Sequence, residues 1–383
     1  MKIFMRSPRE WILYLANSLS CETVYENKQM FQSAKGFKKK ISSSILSFLK
    51  KSPFPPLEWI INYNNLYKIN NDIDLIIEPA SKLIKTDKNY IVYIENGIGL
   101  FSFNTRKINY FNIFFFKRMI KKKNLKGFVF YSHTALNSTK VLFNKIGCPE
   151  LFETLNLGVI YPLTHDIFSQ KTHPRNNKKI LFCSSSFNLK GGRELLKAFF
   201  LSKHFNDCEL ILITKKNEML TQIEKDYVNI TVFDFNLKNH EYVNLIESID
   251  LIIHPTFFDT HALALLEAIK ASIPAIATKT FALPEYIEPN RTGLLIDNPY
   301  EPYTSDGAPN FTGAALTYAQ EIEKRSENDI FIKELTSAID FILDNYSFFK
   351  SNCLNSDRNN KFFSEKNIIS QWAEILKSGI IQK

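Results

Sequence analysis

Along the chain, short, mainly apolar runs of strand type alternate with longer stretches in which apolar residues recur every three or four places. In the first half the short runs are KIFM (2–5), DLIIE (74–78), YIVYIE (90–95), GFVFYS (127–132) and LGVIYP (157–162). A strand that is apolar on both faces belongs inside a parallel sheet covered on two sides, not in a sheet with one wet face. Helical period appears over 8–20 and through TALNSTKVLFNKIG, just after residue 132. The stretch THDIFSQKTHPRNNKK (164–179) is polar, basic and without period, and is read as a linker.

The second half restarts the rhythm. KILFCSS (179–185), CELILIT (208–214), NITVFDF (229–235), DLIIHPT (250–256), IPAIAT (273–278), LPEYIE (283–288) and TGLLID (292–297) are the short runs. GRELLKAFFLSK (192–203), HEYVNLIESI (240–249) and the segment after Thr260 carry helical period, and a long helix is expected near 314–346. The final stretch, 362–380, places Ile368, Ile369, Trp372, Ile375 and Leu376 on one helical face. Strand–helix alternation of this kind implies parallel α/β sheets. Two such blocks predict two Rossmann-like domains facing across a cleft: 1–165, a linker at 166–178, 179–350, and a tail at 351–383 packing on the first domain. Ligands of open α/β sheets bind beyond the carboxyl ends of the strands. That rule points to Ser184–Gly192, His254–His261, Thr278–Leu283 and, in the first half, Glu95–Gly97.

Composition narrows the classes. A chain of 383 residues is too long for one core, and 45% hydrophobic with 23% charged is globular. The net charge of +9 raises nucleic acid as a partner, but no recognition motif accompanies it. The chain is rich in Lys, Asn, Ile, Phe and Tyr with only 12 Gly, so coding bias accounts for part of the lysine excess. The five cysteines are odd in number and form no CxxC pair, which suggests neither a disulfide framework nor a zinc site and fits a reducing, cytoplasmic compartment. Ser7-Pro8-Arg9-Glu10 reads as a helix start with a capping box rather than as a leader. No run of about 18 uncharged apolar residues predicts a membrane span.

Two turns carry candidate chemistry. In SSSFNLKGG (184–192) a strand ends and Lys190-Gly191-Gly192 opens a helix. Free N–H groups and positive dipole suit phosphate there, two glycines allow close approach, and Lys190 adds a cation. The other reading is a helix cap beside a surface lysine. In FFDTHALALLEAIKASIPAIAT (257–278), Glu267 is the one acid in an apolar helix and Asp259 stands in the turn before it. A carboxylate near low dielectric needs donors, which ribose hydroxyls supply. The alternative places Glu267 on a solvent strip with Lys270.

ILFCSSSFNLKGGRELLKAF, DLIIHPTFFDTHALALLEAIKASIPAIAT, LPEYIEPNRTGLLID and FSEKNIISQW, in this order, resemble the retaining family 4 glycosyltransferases of GT-B fold. The resemblance covers 179–298 well and the first half loosely. It implies that Asp259 and Glu267 are the two acids of an E-x7-E helix, with Glu267 on the ribose of a nucleoside-diphosphate-sugar and Asp259 facing the sugar hydroxyls. It implies that Lys190, with Ser185 and Gly191 in the phosphate loop, neutralises the diphosphate, and that the N–H groups of His261, Ala262 and Leu263 lie near the sugar or phosphate. Lys190, Asp259 and Glu267 are the expected catalytic residues, and Glu95, Asn96 and Gly97 the acceptor-side ones.

The first acid is Asp rather than Glu, Ser184 and Ser185 replace a Gly–Arg pair, and Phe281 stands where Gly is common. No cofactor or metal is expected, because no DxD is suitably placed. The expected activity is sugar transfer with retention to a glycan or lipid-linked acceptor of cell-envelope type. The alternatives are a degenerate GT-B scaffold or a sugar-nucleotide 2-epimerase. Two basic-aromatic stretches, 34–51 and 108–127, suit an anionic inner-membrane surface, or are core-facing helices with a solvated basic side.

Overall fold

The computed structural model describes residues 1–6, 9–25, 51–166, 177–356 and 362–378. The start expected at Ser7–Pro8, the stretch 34–50 and linker residues 167–176 lie outside them. Two compact units emerge: Met1–Leu163 with Tyr303–Tyr318 and Lys366–Lys383, and Thr164–Pro302 with Ala319–Glu365. This differs from the expected division. Residues 303–318 belong to the first unit and 351–365 to the second.

The first unit holds a six-stranded, all-parallel sheet of β1 (Lys2–Met5), β2 (Glu22–Tyr25), β3 (Leu75–Glu78), β4 (Asn89–Ile94), β5 (Leu125–Phe130) and β6 (Asn156–Val159), in the order β2-β1-β3-β4-β5-β6. Strand β2 has no continuous apolar run and was not legible in the sequence. The strands β3 and β4 are buried almost throughout, as their apolar runs require. Trp372, on the closing helix Glu365–Lys377, is fully buried with its ring edge-on to Tyr93 at 5.1 Å. Residues 303–318 join this unit through an antiparallel bridge from Ala314 to Asn104 and a bond from Gly313 N to Thr105 Oγ1 at 2.7 Å.

The helix Tyr110–Ile120 has two apolar faces. Phe116, Met119 and Ile120 are buried, and Phe116 stacks on Phe101 at 4.9 Å. Tyr110, Phe111, Phe114 and Phe115 point outward, with Tyr110 90% exposed. The simple core-facing arrangement is therefore half of the picture.

The second unit is also all-parallel: β7 (Lys178–Cys183), β8 (Cys208–Thr214), β9 (Ile230–Asp234), β10 (Leu251–His254), β11 (Ala275–Thr278) and β12 (Gly293–Ile296), in the order β12-β11-β10-β7-β8-β9. Successive strands run one way from β7, and the chain then crosses to β10 on the other side. The switch point of this doubly wound sheet lies between β7 and β10, where such sheets bind ligands. LPEY (283–286) is a short helix rather than a strand. The long helix expected near 314–346 is two, Ala315–Glu323 and Asp329–Asp344, because Asn328 caps the second by accepting from Phe331 N at 3.0 Å.

Candidate functional site

The turns after β7 and β10 are neighbours because their strands pair. After β7 the backbone curls: Lys190 N donates to Ser186 O at 3.0 Å and Gly192 N to Phe187 O at 2.8 Å. Gly191 has φ +74°, and a Cβ there would meet Pro255 O at 2.2 Å. A Cβ on Gly192 would sit 2.4 Å from the Phe187 ring. The expectation that both glycines make room for a ligand is thus corrected: the space beside them is filled by Pro255 and Phe187. They let the first turn dock on the second, sealed by Phe257 N donating to Leu189 O at 3.2 Å.

The second turn is pinned from below. Thr278 Oγ1 donates to Thr256 O at 2.6 Å, and Asn298 Nδ2 to Phe257 O at 3.0 Å and Thr280 Oγ1 at 2.8 Å. The docking carries Lys190 across to Asp259. Its Nζ lies 2.6 Å from Asp259 Oδ2 and 2.6 Å from Phe258 O. His254 Nε2 reaches the same carboxylate oxygen at 3.0 Å, while Asp259 Oδ1 accepts from Thr260 N at 2.9 Å and His261 N at 3.3 Å. Burial alone would raise the Asp259 carboxyl, but the Lys190 ammonium and His254 outweigh it and hold it well below the usual carboxylate range.

Glu267 lies on the helix Leu263–Lys270, partly covered, with Leu265, Leu266, Ala268 and Ile269 buried around it. Tyr242 donates its hydroxyl to Glu267 Oε2 at 2.7 Å. Oε1 has no protein partner among the described residues. Loss of hydration dominates over the Tyr242 bond and the Lys270 charge, and pushes the carboxyl from 4.5 up to about 7. The solvent-strip alternative fails on Lys270. Its ammonium is buried, bonded to Thr164 O at 2.5 Å and Asp166 Oδ1 at 2.7 Å. Burial pushes the neighbouring Cys183 thiol up to about 12.

Ser185 is half-buried at the mouth of the first turn, and His261 Nδ1 pairs with Tyr286 Oη at 2.7 Å. Ala262 precedes the first helical residue, Leu263, and that helix has no side-chain cap, so its first N–H groups keep their donor capacity. Phe281 adopts φ +45°, the left-handed region, which accounts for glycine being favoured at such a site. The structure therefore brings Ser185, Lys190, Gly191, Asp259, His261, Ala262, Leu263 and Glu267 to one end of one sheet. Sequence reasoning missed His254, Tyr242 and Asn298. Only His254, polar at the end of an apolar strand, left a signal.

In the first unit, Glu95, Asn96 and Gly97 follow β4. Glu95 faces Arg9 at 3.5 Å; Asn96 Oδ1 accepts from Ile98 N at 3.0 Å, and Gly97 N donates to Ser138 Oγ at 3.0 Å. Asn96 and Gly97 thus build the turn, while Glu95 pairs with Arg9. The switch point of that sheet, between β1 and β3, holds a pair the sequence did not reveal. Arg6 lies 3.6 Å from Glu78, which also accepts from Tyr63 Oη at 2.5 Å.

Residues 164–304 match the family described as glycosyl transferases group 1. Lipopolysaccharide glucosyltransferase WaaG of Escherichia coli K12 is 26% identical over 165 residues, 40% of this chain and 44% of that protein. The chain thus aligns with less than half the length of the curated relatives it matches. Among solved structures, one of WaaG has a TM-score of 0.58 at 13% identity, covering 99% of this chain and 100% of that one. One of Anabaena Alr3699/HepE in complex with UDP has a TM-score of 0.54 at 14% identity, covering 98% and 99%. These likenesses show the fold, GT-B.

Proposed function

Because residues 164–304 match the glycosyl transferases group 1 family, we propose that the protein transfers a sugar from a nucleoside-diphosphate-sugar to a glycan or lipid-linked acceptor, with retention at the anomeric carbon. One observation carries this reading: Lys190 and Glu267 stand at the same switch point, one able to meet phosphate and the other ribose. Tyr242 fixes one oxygen of Glu267, and the other accepts from a ribose hydroxyl. That hydroxyl supplies the donor which the partly covered carboxylate lacks.

In the transfer, the bond from the anomeric carbon to the phosphate oxygen breaks and its electron pair stays with the diphosphate. The acceptor hydroxyl oxygen bonds to that carbon from the same face, and its proton passes to the leaving phosphate. Negative charge builds on the diphosphate as it departs. Lys190 and the uncapped start of the Leu263–Lys270 helix stabilise it where it develops. No divalent metal is required in this scheme, so chelator should leave turnover unchanged. The acceptor side is assigned to the first unit, with Glu95 as its polar contact.

The test is a panel of nucleotide-sugars. A donor at about 100 times its dissociation constant raises stability by about 2.7 kcal/mol, and the same donor should then support transfer. Lys190→Ala should lower turnover by about 10²–10³-fold, the range for losing one charge-stabilising donor. A panel with no stabilising member removes the reading. A panel that binds but never turns over favours the inactive-scaffold alternative.

The outward aromatics of the Tyr110–Ile120 helix sit beside Lys117, Arg118 and Lys121–Lys123. We propose that this face touches an anionic membrane surface, which favours a lipid-linked acceptor.

A further inference from the structure

Every acceptor site of Asp259 is occupied. An ionised carboxylate offers about four lone-pair positions. Oδ2 takes Lys190 Nζ at 2.6 Å and His254 Nε2 at 3.0 Å; Oδ1 takes the N–H groups of Thr260 at 2.9 Å and His261 at 3.3 Å. An acid bonded in this way has no lone pair left for a sugar hydroxyl. The ammonium of Lys190 is different. It carries three N–H donors, of which one goes to Asp259 and one to Phe258 O. The third has no partner among the described residues. The donor capacity of the cluster therefore lies on the lysine.

His254 completes the arrangement. It is the last residue of β10 and only 3% exposed, so strand packing fixes its ring. With Nε2 donating, it holds Oδ2, while the turn's own backbone holds Oδ1. Asp, one methylene shorter than Glu, ends close enough to its own chain to accept from Thr260 and His261.

We propose that His254 and Asp259 are positioning residues that aim Lys190, and that Asp259 makes no direct bond to the donor sugar. This rests on the donor reading above. The influence of Asp259 then reaches the donor through its phosphates alone, and is the same whether or not a sugar is attached.

The experiment is calorimetric titration of the full chain with UDP, GDP and ADP and with their glucose and mannose conjugates. Wild type is compared with D259N, H254L, H254Q, K190A and the D259N/K190A double variant, with thermal unfolding confirming that each is folded. D259N should weaken the free diphosphate and its sugar conjugate by the same factor, about tenfold. H254L should do likewise, and H254Q, which keeps a side-chain N–H, should recover most of the affinity. In the K190A background D259N should have no further effect. The proposal is overturned if D259N spares the free diphosphate and weakens only the sugar conjugate, or if D259N and K190A add independently. Should H254L fail to fold, D259N and the double variant decide alone. A wild type that binds none of the diphosphates defeats the donor reading itself, a result distinct from either of those.

Discussion

Glu267 is held where its charged form is disfavoured, and this gives a pH signature. Its folded pKa of about 7 lies above the 4.5 of the unfolded chain. The stability its proton confers is therefore full below about 4.5 and is lost as pH rises through about 7. Glu267→Gln should melt close to wild type at pH 4.5 and above it at pH 8, by on the order of 1–2 kcal/mol after solvent screening. The same variant should lose donor turnover. Thermal unfolding across that pH range, without ligand, checks the first part; a constant difference between the two proteins would contradict it. The acid itself was legible, since one carboxylate in ALALLEAI needs a reason. Its partner was not. Tyr242 lies 25 residues away on another helix, and no spacing rule connects them.

At the scale of elements, the site depends on one turn docking on another. Gly191→Ala would force a Cβ against the Pro255 carbonyl in a left-handed backbone. A destabilisation of about 1–3 kcal/mol and a loss of diphosphate affinity are expected, read by melting and titration together. A fall in affinity with unchanged melting would mean that the glycine serves the ligand instead. Most strands were readable because their apolar runs are continuous. The break at Lys324–Asn328 was not, because a capping Asn on a polar surface resembles any other polar residue. The exposed aromatics of Tyr110–Ile120 were visible only as composition; which ring faces outward depends on what the helix packs on. Phe111→Asp with Phe114→Asp should abolish flotation with vesicles of phosphatidylglycerol while leaving Phe116 and the fold in place. Equal flotation of variant and wild type would reject the membrane contact.

At the scale of the molecule, the chain passes between its two units four times, after residues 163, 302, 318 and 365. Two repeating blocks were legible, but the return of 303–318 to the first unit was not, because Gly313 and Ala314 meet Thr105 and Asn104 across roughly 200 residues without any motif. A fragment ending at Leu163 should lack a cooperative melting transition. Trp372→Ala in the full chain should cost about 3–5 kcal/mol, as loss of a fully buried indole does.

The position of Trp372 also sets an order of events during synthesis. Translation releases the first 163 residues early, yet the indole that seals their core against Tyr93 follows only roughly 200 residues later. The second unit is fully emitted at residue 365 and can finish while its predecessor still waits. A nascent chain stalled with residue 365 outside the ribosome and Trp372 still inside it should therefore protect Leu265 and Ile276 from amide exchange while Tyr93 and Phe101 still exchange freely.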